Sequence, residues 1–360
     1  MLNTILTIGE FVLAFGVLVF MHELGHFIMA RINKIEVEEF GFGYPPRMVK
    51  LFTRKGTIYS LNWIPFGGFT KMKGETGNTM EAGSFAAANP WRRLTVLLGG
   101  PIMNLLVGML LIAVIFTRTG TPDYSKVQIQ SVAPDSPAAL AGIKPLDTFV
   151  SINGIQITGM SQLSQVVKES VGKEVEVKVL SDGITRSVML TPRATPPQGE
   201  GALGVVIGNP VISTSILGAI PYAVTDTLAQ GKQLILLPYQ LIKGQISPEQ
   251  GRVVSVVGIY DIFSQVQSQD QAQAAANPQY ANLNTLYFFA IISIALGYTN
   301  LLPIPALDGG HILFLLPELL FKKKVKPEFE NAVHFIGFAL LMVLMVVLVV
   351  NDVVNPIVIP

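Results

Sequence analysis

From Phe11 to Met21 the chain reads FVLAFGVLVFM without a charge, and His22, Glu23 and His26 follow, ahead of Phe27, Ile28, Met29 and Ala30. Ionisable side chains inside a stretch apolar enough to cross a bilayer are costly unless they act together. On a helix His22 and His26 share one face, where their ring nitrogens can grip one Zn²⁺. Glu23 then stands where it can take a proton from a water activated by the metal. The segment therefore predicts a membrane-crossing helix and hydrolysis within the bilayer. With only 4 His in 360 residues, an accidental H-E-x-x-H is expected on the order of once in several hundred shuffled chains. A purely structural zinc site ordinarily takes four protein ligands, often Cys, and this chain has no Cys.

Composition agrees with a membrane setting. Hydrophobic residues make up 50%, charged residues 14%, and mean hydropathy is +0.50, a membrane balance rather than a soluble one. A net charge of +1 gives no electrostatic case for a nucleic-acid partner. Spanning a bilayer takes about 20 apolar residues. Four stretches qualify: roughly Ile5 to Ile32, Leu94 to Phe116, Leu286 to Leu307, and Val333 to Val350. The first lacks a basic leader and carries the motif, so it is expected to remain in the protein rather than be cleaved as a signal peptide. Arg31, Lys34, Arg47, Lys50, Arg54, Lys55, Lys71, Lys73, Arg92 and Arg93 crowd the first loop, and Lys322, Lys323, Lys324 and Lys326 the last. The positive-inside rule puts both loops in the cytoplasm, and both termini and the long 118–285 segment outside.

A second unusual segment runs Asn300-Leu-Leu-Pro303-Ile-Pro305-Ala-Leu307-Asp308-Gly309-Gly310-His311. Its prolines and glycines cannot continue a regular helix. Irregular backbone at membrane depth is tolerated only where protein or water covers it. Two His and one carboxylate form a known catalytic zinc set. Asp308 is the preferred third ligand and His311 the competing one. Alternatively, Asp308 caps the next helix, a role that uses the same oxygens.

The chain resembles the site-2 proteases, intramembrane zinc metalloproteases, and is similar to the bacterial group of the regulator of sigma-E protease and its single-PDZ relatives. The matching residues are His22-Glu23-x-x-His26, the N-x-x-P-x-P-x-L-D-G run from Asn300 to Gly309, and Gly99-Gly100-Pro101-Ile-Met-Asn104, which looks like the family's G-P-x-x-N segment. The resemblance implies one zinc bound by His22, His26 and Asp308, with Glu23 as general base. It further implies substrate contacts at Asn300, Pro303 and Asn104, with Asn300 holding the substrate backbone or the oxyanion. A re-entrant cytoplasmic β-loop is implied as well. The alternating segments around Lys55-Gly56 read as a hairpin that can pair an extended substrate by strand addition, or as a hairpin with no substrate contact.

Residues 118–208 turn soluble in pattern. Val127-Gln-Ile129 alternates like a half-buried strand, Ser136-Pro137 opens a short helix that Gly142 ends, and Asn153-Gly154 and Asp182-Gly183 read as turns. The stretch SVAPDSPAALAGIKPLDTFVSINGIQI resembles a bacterial PDZ domain, in permuted order, with Leu203, Gly204 and Val205 resembling its carboxylate-binding loop. Leu146 stands where that family usually has Gly. The domain is expected either to bind chain ends or to block access. Residues 213–245 fit interfacial helices, and Gln265 to Asn277 a solvated linker or surface helix. Ser255-Val256 replace a Gly-Pro common in the family.

The expected architecture is a polytopic α-helical membrane protein with about four transmembrane helices, a membrane-associated β-hairpin and an extracytoplasmic PDZ domain. Residues 1–117 hold two spans, the zinc motif and the β-loop; 118–208 the PDZ domain; 209–282 interfacial helices and linker; 283–360 the last two spans. The expected activity is zinc endopeptidase cleavage of single-pass membrane proteins already trimmed by another protease. Anti-sigma factors and leftover signal peptides are the substrate roles the resemblance implies, and the bacterial plasma membrane the location. An inactive PDZ scaffold and a metal or proton transporter are the rival readings; no internal repeat supports the transporter.

Overall fold

A computed structural model describes residues 2–75, 79–197, 199–247, 251–278 and 281–357. In chain order the elements are α1 (Leu2–Ile32), β1 (Val37–Arg54), β2 (Thr57–Met72), α2 (Pro90–Thr119), β3 (Thr121–Pro122), β4 (Val127–Val132), α3 (Pro137–Leu140), β5 (Thr148–Ile152), β6 (Ile155–Gln156) and α4 (Met160–Glu169). They continue with β7 (Val175–Ser181), β8 (Ile184–Leu190), β9 (Val205–Gly208), β10 (Val211–Ile212), α5 (Ile216–Ile242), α6 (Val256–Ala276), α7 (Leu283–Asn300), α8 (Asp308–Phe321) and α9 (Pro327–Val354). They form two compact units, Met1–Ile115 with Ile216–Pro360, and Phe116–Ser215.

Four helices among the described residues are long and apolar enough to cross a membrane: Thr4–Ile32, Pro90–Thr119, Leu283–Asn300 and Pro327–Val354. The third is shorter than the expected Leu286–Leu307 stretch. Helix α7 stops at Asn300, and turn bonds from Leu301 N–H to Tyr298 O and from Leu302 N–H to Thr299 O follow. Pro303 and Pro305 have no N–H with which to extend the helix. The segment 213–245 forms one long helix, α5, running through Pro221 and Pro238. Residues 265–276 complete α6, whose Asp270 is buried and accepts from the Asn284 and Thr285 N–H groups at the start of α7. Ser255 caps α6 through its side chain, and its own N–H donates to Asp352 Oδ2 at 2.7 Å.

Close packing of α1 on α2 depends on small residues, as membrane helices require. A Cβ added to Gly25 would lie 2.2 Å from the Gly99 carbonyl oxygen, so the two backbones touch. The β1–β2 region is more than a hairpin. Residues 37–42 pair with 57–61 on one side and 68–72 on the other, while 47–54 pair with the outer side of 57–62. The 68–72 segment lies against α1, where Gly67 and Gly68 meet Val19 and the Glu23 side chain.

In the Phe116–Ser215 unit an antiparallel sheet of order β8-β7-β5-β4-β9 carries β6 on β5. Val127, Ile129, Phe149, Ile152, Val177 and Val179 fill its core. Ser136 caps α3 by accepting from the Ala139 N–H, and Gly142 ends that helix at φ +73. Leu146 adopts φ +73, so leucine takes the left-handed turn that glycine would favour.

Candidate metal centre

The first helix holds His22 and His26 with their Nε2 atoms 3.1 Å apart, both buried. The carboxylate of Asp308, the first residue of α8, meets them. Its Oδ2 is 3.1 Å from His22 Nε2 and its Oδ1 3.4 Å from His26 Nε2. Asp308 Oδ2 is buried and makes no hydrogen bond of acceptable geometry. Three donor atoms turned toward one point fit an ion, because ligands ~2.0–2.1 Å from a tetrahedral zinc stand roughly 3.3 Å from one another. Room for the ion depends on Gly100, where a Cβ would lie 2.4 Å from His26 Nε2 and 2.6 Å from His22 Nε2.

Neighbouring groups orient the two histidines. His26 Nδ1 donates to the Val96 carbonyl at 2.8 Å, which fixes the ring and leaves Nε2 free for metal. His22 Nδ1 lies 3.3 Å from the Asn104 carboxamide nitrogen, while Asn104 Oδ1 is buried without a partner. Turning that amide by half a rotation lets Oδ1 accept from His22 Nδ1–H and leaves the His22 Nε2 lone pair for metal. Asn104 is itself held from behind, where the Ser293 hydroxyl donates to its backbone carbonyl at 2.8 Å.

A cavity of about 740 Å³ opens on these residues. Glu23, Tyr44, Phe69, Thr70, Asn104, Asn300 and Asp308 all line it. Glu23 is pressed by the glycine edge of residues 67–68, and the Thr70 hydroxyl donates to its backbone carbonyl at 3.0 Å. The site thus combines a metal-capable triad, an adjacent carboxylate and a roomy cleft, the parts needed for metal-assisted hydrolysis.

The profile of peptidase family M50 matches residues 10–344. The chain belongs to peptidase family M50, the site-2 proteases. A protein named as a zinc metalloprotease in Clostridium acetobutylicum is 33% identical over 96% of this chain and 97% of its own length. One so named in Campylobacter jejuni is 30% identical over 95% and 92%. The regulator of sigma-W protease RasP of Bacillus subtilis is 27% identical over 96% and 98%. This M50 chain is accordingly a zinc metalloprotease with membrane-spanning helices.

Other residues singled out in the sequence lie apart from the triad. His311 does not join His22 and His26. Its ring stacks on His334 at 3.7 Å, and its Nδ1 is 3.3 Å from Glu330 Oε1. The Asp308 carboxylate does not cap α8, because the cap residue is Leu307 and no side-chain cap bond forms. Asn300 ends α7 with its Nδ2 donating to Leu296 O at 3.0 Å. Pro303 is exposed and outside the cavity lining. Leu203 is buried in the sheet core, while Gly204, at φ +71, sits against Ser136 and Arg193. Sequence reasoning missed the Val96 carbonyl, Thr70 and the His334 cluster. The last had a signal, since all four histidines of the chain fall into two groups.

Proposed function

We propose that the protein is an intramembrane endopeptidase that cuts the transmembrane segments of single-pass membrane proteins. The observation that carries this reading is the convergence of His22, His26 and Asp308, with a buried Asp308 oxygen that makes no hydrogen bond, among helices long and apolar enough to span a membrane. In this reading His22, His26 and Asp308 hold the zinc. When bound, zinc supplies Lewis acidity, which acidifies water and polarises a peptide carbonyl. The Glu23 carboxylate takes the proton from the attacking water and returns it to the leaving amine. Asn104 keeps His22 in its ligating tautomer, and the Val96 carbonyl does the same for His26. Asn300, on the cavity wall, is the candidate donor to the substrate carbonyl once its amide leaves Leu296.

The substrate must present extended backbone, because a helix hides its carbonyls in hydrogen bonds. The 68–72 segment supports that step, since it pairs on one side only and its Phe69 and Thr70 line the cavity. An unwound substrate can add there as a further strand. In this reading the basic loops, by the positive-inside rule, support a cytoplasmic side for that sheet and an outside location for the termini and the Phe116–Ser215 unit. The antiparallel order β8-β7-β5-β4-β9 supports reading that unit as a permuted PDZ domain, with β9 at a sheet edge where a chain end can add. The Bacillus relative's name refers to sigma-W regulation. We extend that class of substrate, a membrane anti-sigma factor trimmed beforehand outside, to this chain.

Purified protein assayed for zinc content and for cleavage of a model transmembrane substrate tests the reading. Glu23→Gln should keep its zinc and lose about 10²–10⁴-fold in rate. Unchanged cleavage by that variant would sink the mechanism.

A further inference from the structure

The turn that delivers Asp308 is closed by its own backbone, Leu307 N–H donating to Ile304 O at 3.2 Å, but it holds one residue in a strained conformation. Ala306 adopts φ +73, a left-handed conformation that an alanine rarely takes. Leu307, the cap residue of α8, forms no side-chain cap bond. Further support comes from α9. The Ala306 N–H donates to His334 Nδ1 at 2.9 Å. One turn later Gly337 admits Pro305, which a Cβ there would meet at 2.3 Å. Glu330, His334 and Gly337 lie on one face of α9 by helical spacing. The His311 ring stacks flat on His334, 3.7 Å away and tilted by 11°, and is tethered in turn by Glu330.

His311, Glu330 and His334 carry atoms close enough together to suggest a second metal site. The hydrogen bonding argues against it. A ring that accepts the Ala306 N–H at Nδ1 carries its proton on Nε2 and has no lone pair left for an ion. Parallel stacking also sets the two imidazoles face to face rather than edge to edge.

We infer that His334 is a positioning residue for zinc binding: with Gly337 it clamps the Pro305–Ala306 turn and thereby sets Asp308 opposite His22 and His26. This rests on the proposed ligand set, whose failure is separately visible below. Partners that orient metal ligands are worth about 10–100-fold in affinity.

The test is zinc affinity of the full-length protein in detergent, measured by competition with a chelator, beside stoichiometry. Wild type should hold one zinc per chain. His334→Leu should bind about 10–100-fold more weakly. His334→Asn, whose amide oxygen stands near the Nδ1 position, should recover most of the affinity. Ala306→Gly should rescue His334→Leu in part, because glycine takes φ +73 without strain. Equal affinity in wild type and His334→Leu would overturn the clamp, as would two zincs in wild type and one in the variant. Should His334→Leu fail to fold, Gly337→Ala displaces Pro305 with His334 intact, and unchanged affinity there overturns the proposal too. Asp308→Ala reports on the ligand set: if it binds zinc like wild type, that assignment fails, and the clamp with it, whatever His334 does.

Discussion

The two units of this chain are built inside out with respect to each other. In the Phe116–Ser215 unit the apolar side chains are hidden: Val127, Ile129, Val177 and Val179 are fully buried. In the helical unit α9 turns Phe335, Leu340 and Val354 outward, at 73%, 66% and 69% exposure, while His22, Asn104, Ser293 and Asp352 are buried. Water drives the first arrangement, since burying apolar surface is its main gain. In lipid no such gain exists between helices, so close contact of small residues and internal polar bonds holds them together. The difference explains why a hydrophilic His22–His26–Asp308 cluster can lie buried in one unit and would be out of place in the other.

The comparison breaks most visibly at a glycine. Gly100→Ala should cost about 100-fold in cleavage, because its methyl enters the space between the His22 and His26 rings and shifts them by tenths of an ångström or more. Zinc content read beside the rate checks the cause. No single methyl in the sheet unit has that leverage on chemistry. There the large effect comes from removal: Ile129→Ala should destabilise the Phe116–Ser215 unit by about 2–5 kcal/mol. Hydrogen exchange would show the loss confined to that unit, with zinc affinity unchanged.

A smaller effect follows from Asp147, which is buried in the sheet unit. Burial alone would raise its pKa. The Ser181 hydroxyl, the Lys144 N–H and the Arg186 guanidinium outweigh that and hold it below the ordinary carboxylate range. A lowered folded-state pKa gives stability that is fully present above the unfolded-state value of 3.8 and lost as pH falls through the folded one. Exchange protection of this unit should therefore decline below about pH 4, and Asp147→Asn should flatten the decline. A profile in the variant that still falls as steeply would assign the acid sensitivity elsewhere. The smallest effect belongs to the lipid-facing surface: Phe335→Leu, exposed on α9, should change thermal stability by less than about 0.5 kcal/mol.

What the sequence displayed also divides along this line. Local signals read well. Lys55-Gly56, Asn153-Gly154 and Asp182-Gly183 each take positive φ at both residues, the turn their sequence specifies. Long apolar runs announce four helices long and apolar enough to cross a membrane, and the H-E-x-x-H and L-D-G segments announce the family. The meeting of Asp308 with His22 and His26 was legible through its motif, whereas other contacts between distant residues did not read. The Val96 carbonyl that orients His26 is a backbone atom with no residue signature. The pairing of 68–72 with 37–42 is hidden because bulges let β1 pair twice. Ala306 takes a glycine-like conformation without being glycine, sustained by a histidine far along the chain.

The contact between Gly25 and Gly99 also sets a sequence in time. These residues lie in α1 and α2, ahead of α8 in the chain, so the proposed histidine half of the metal centre can close before Asp308 is made. Asp308 follows only when α8 begins, a delay on the order of tens of seconds at ~5–20 residues per second. The proposed third donor, and the α9 segment that steadies its turn, come after both. A nascent chain stalled before α8 would carry two of the proposed metal donors without the third, and should not hold zinc as the full triad does.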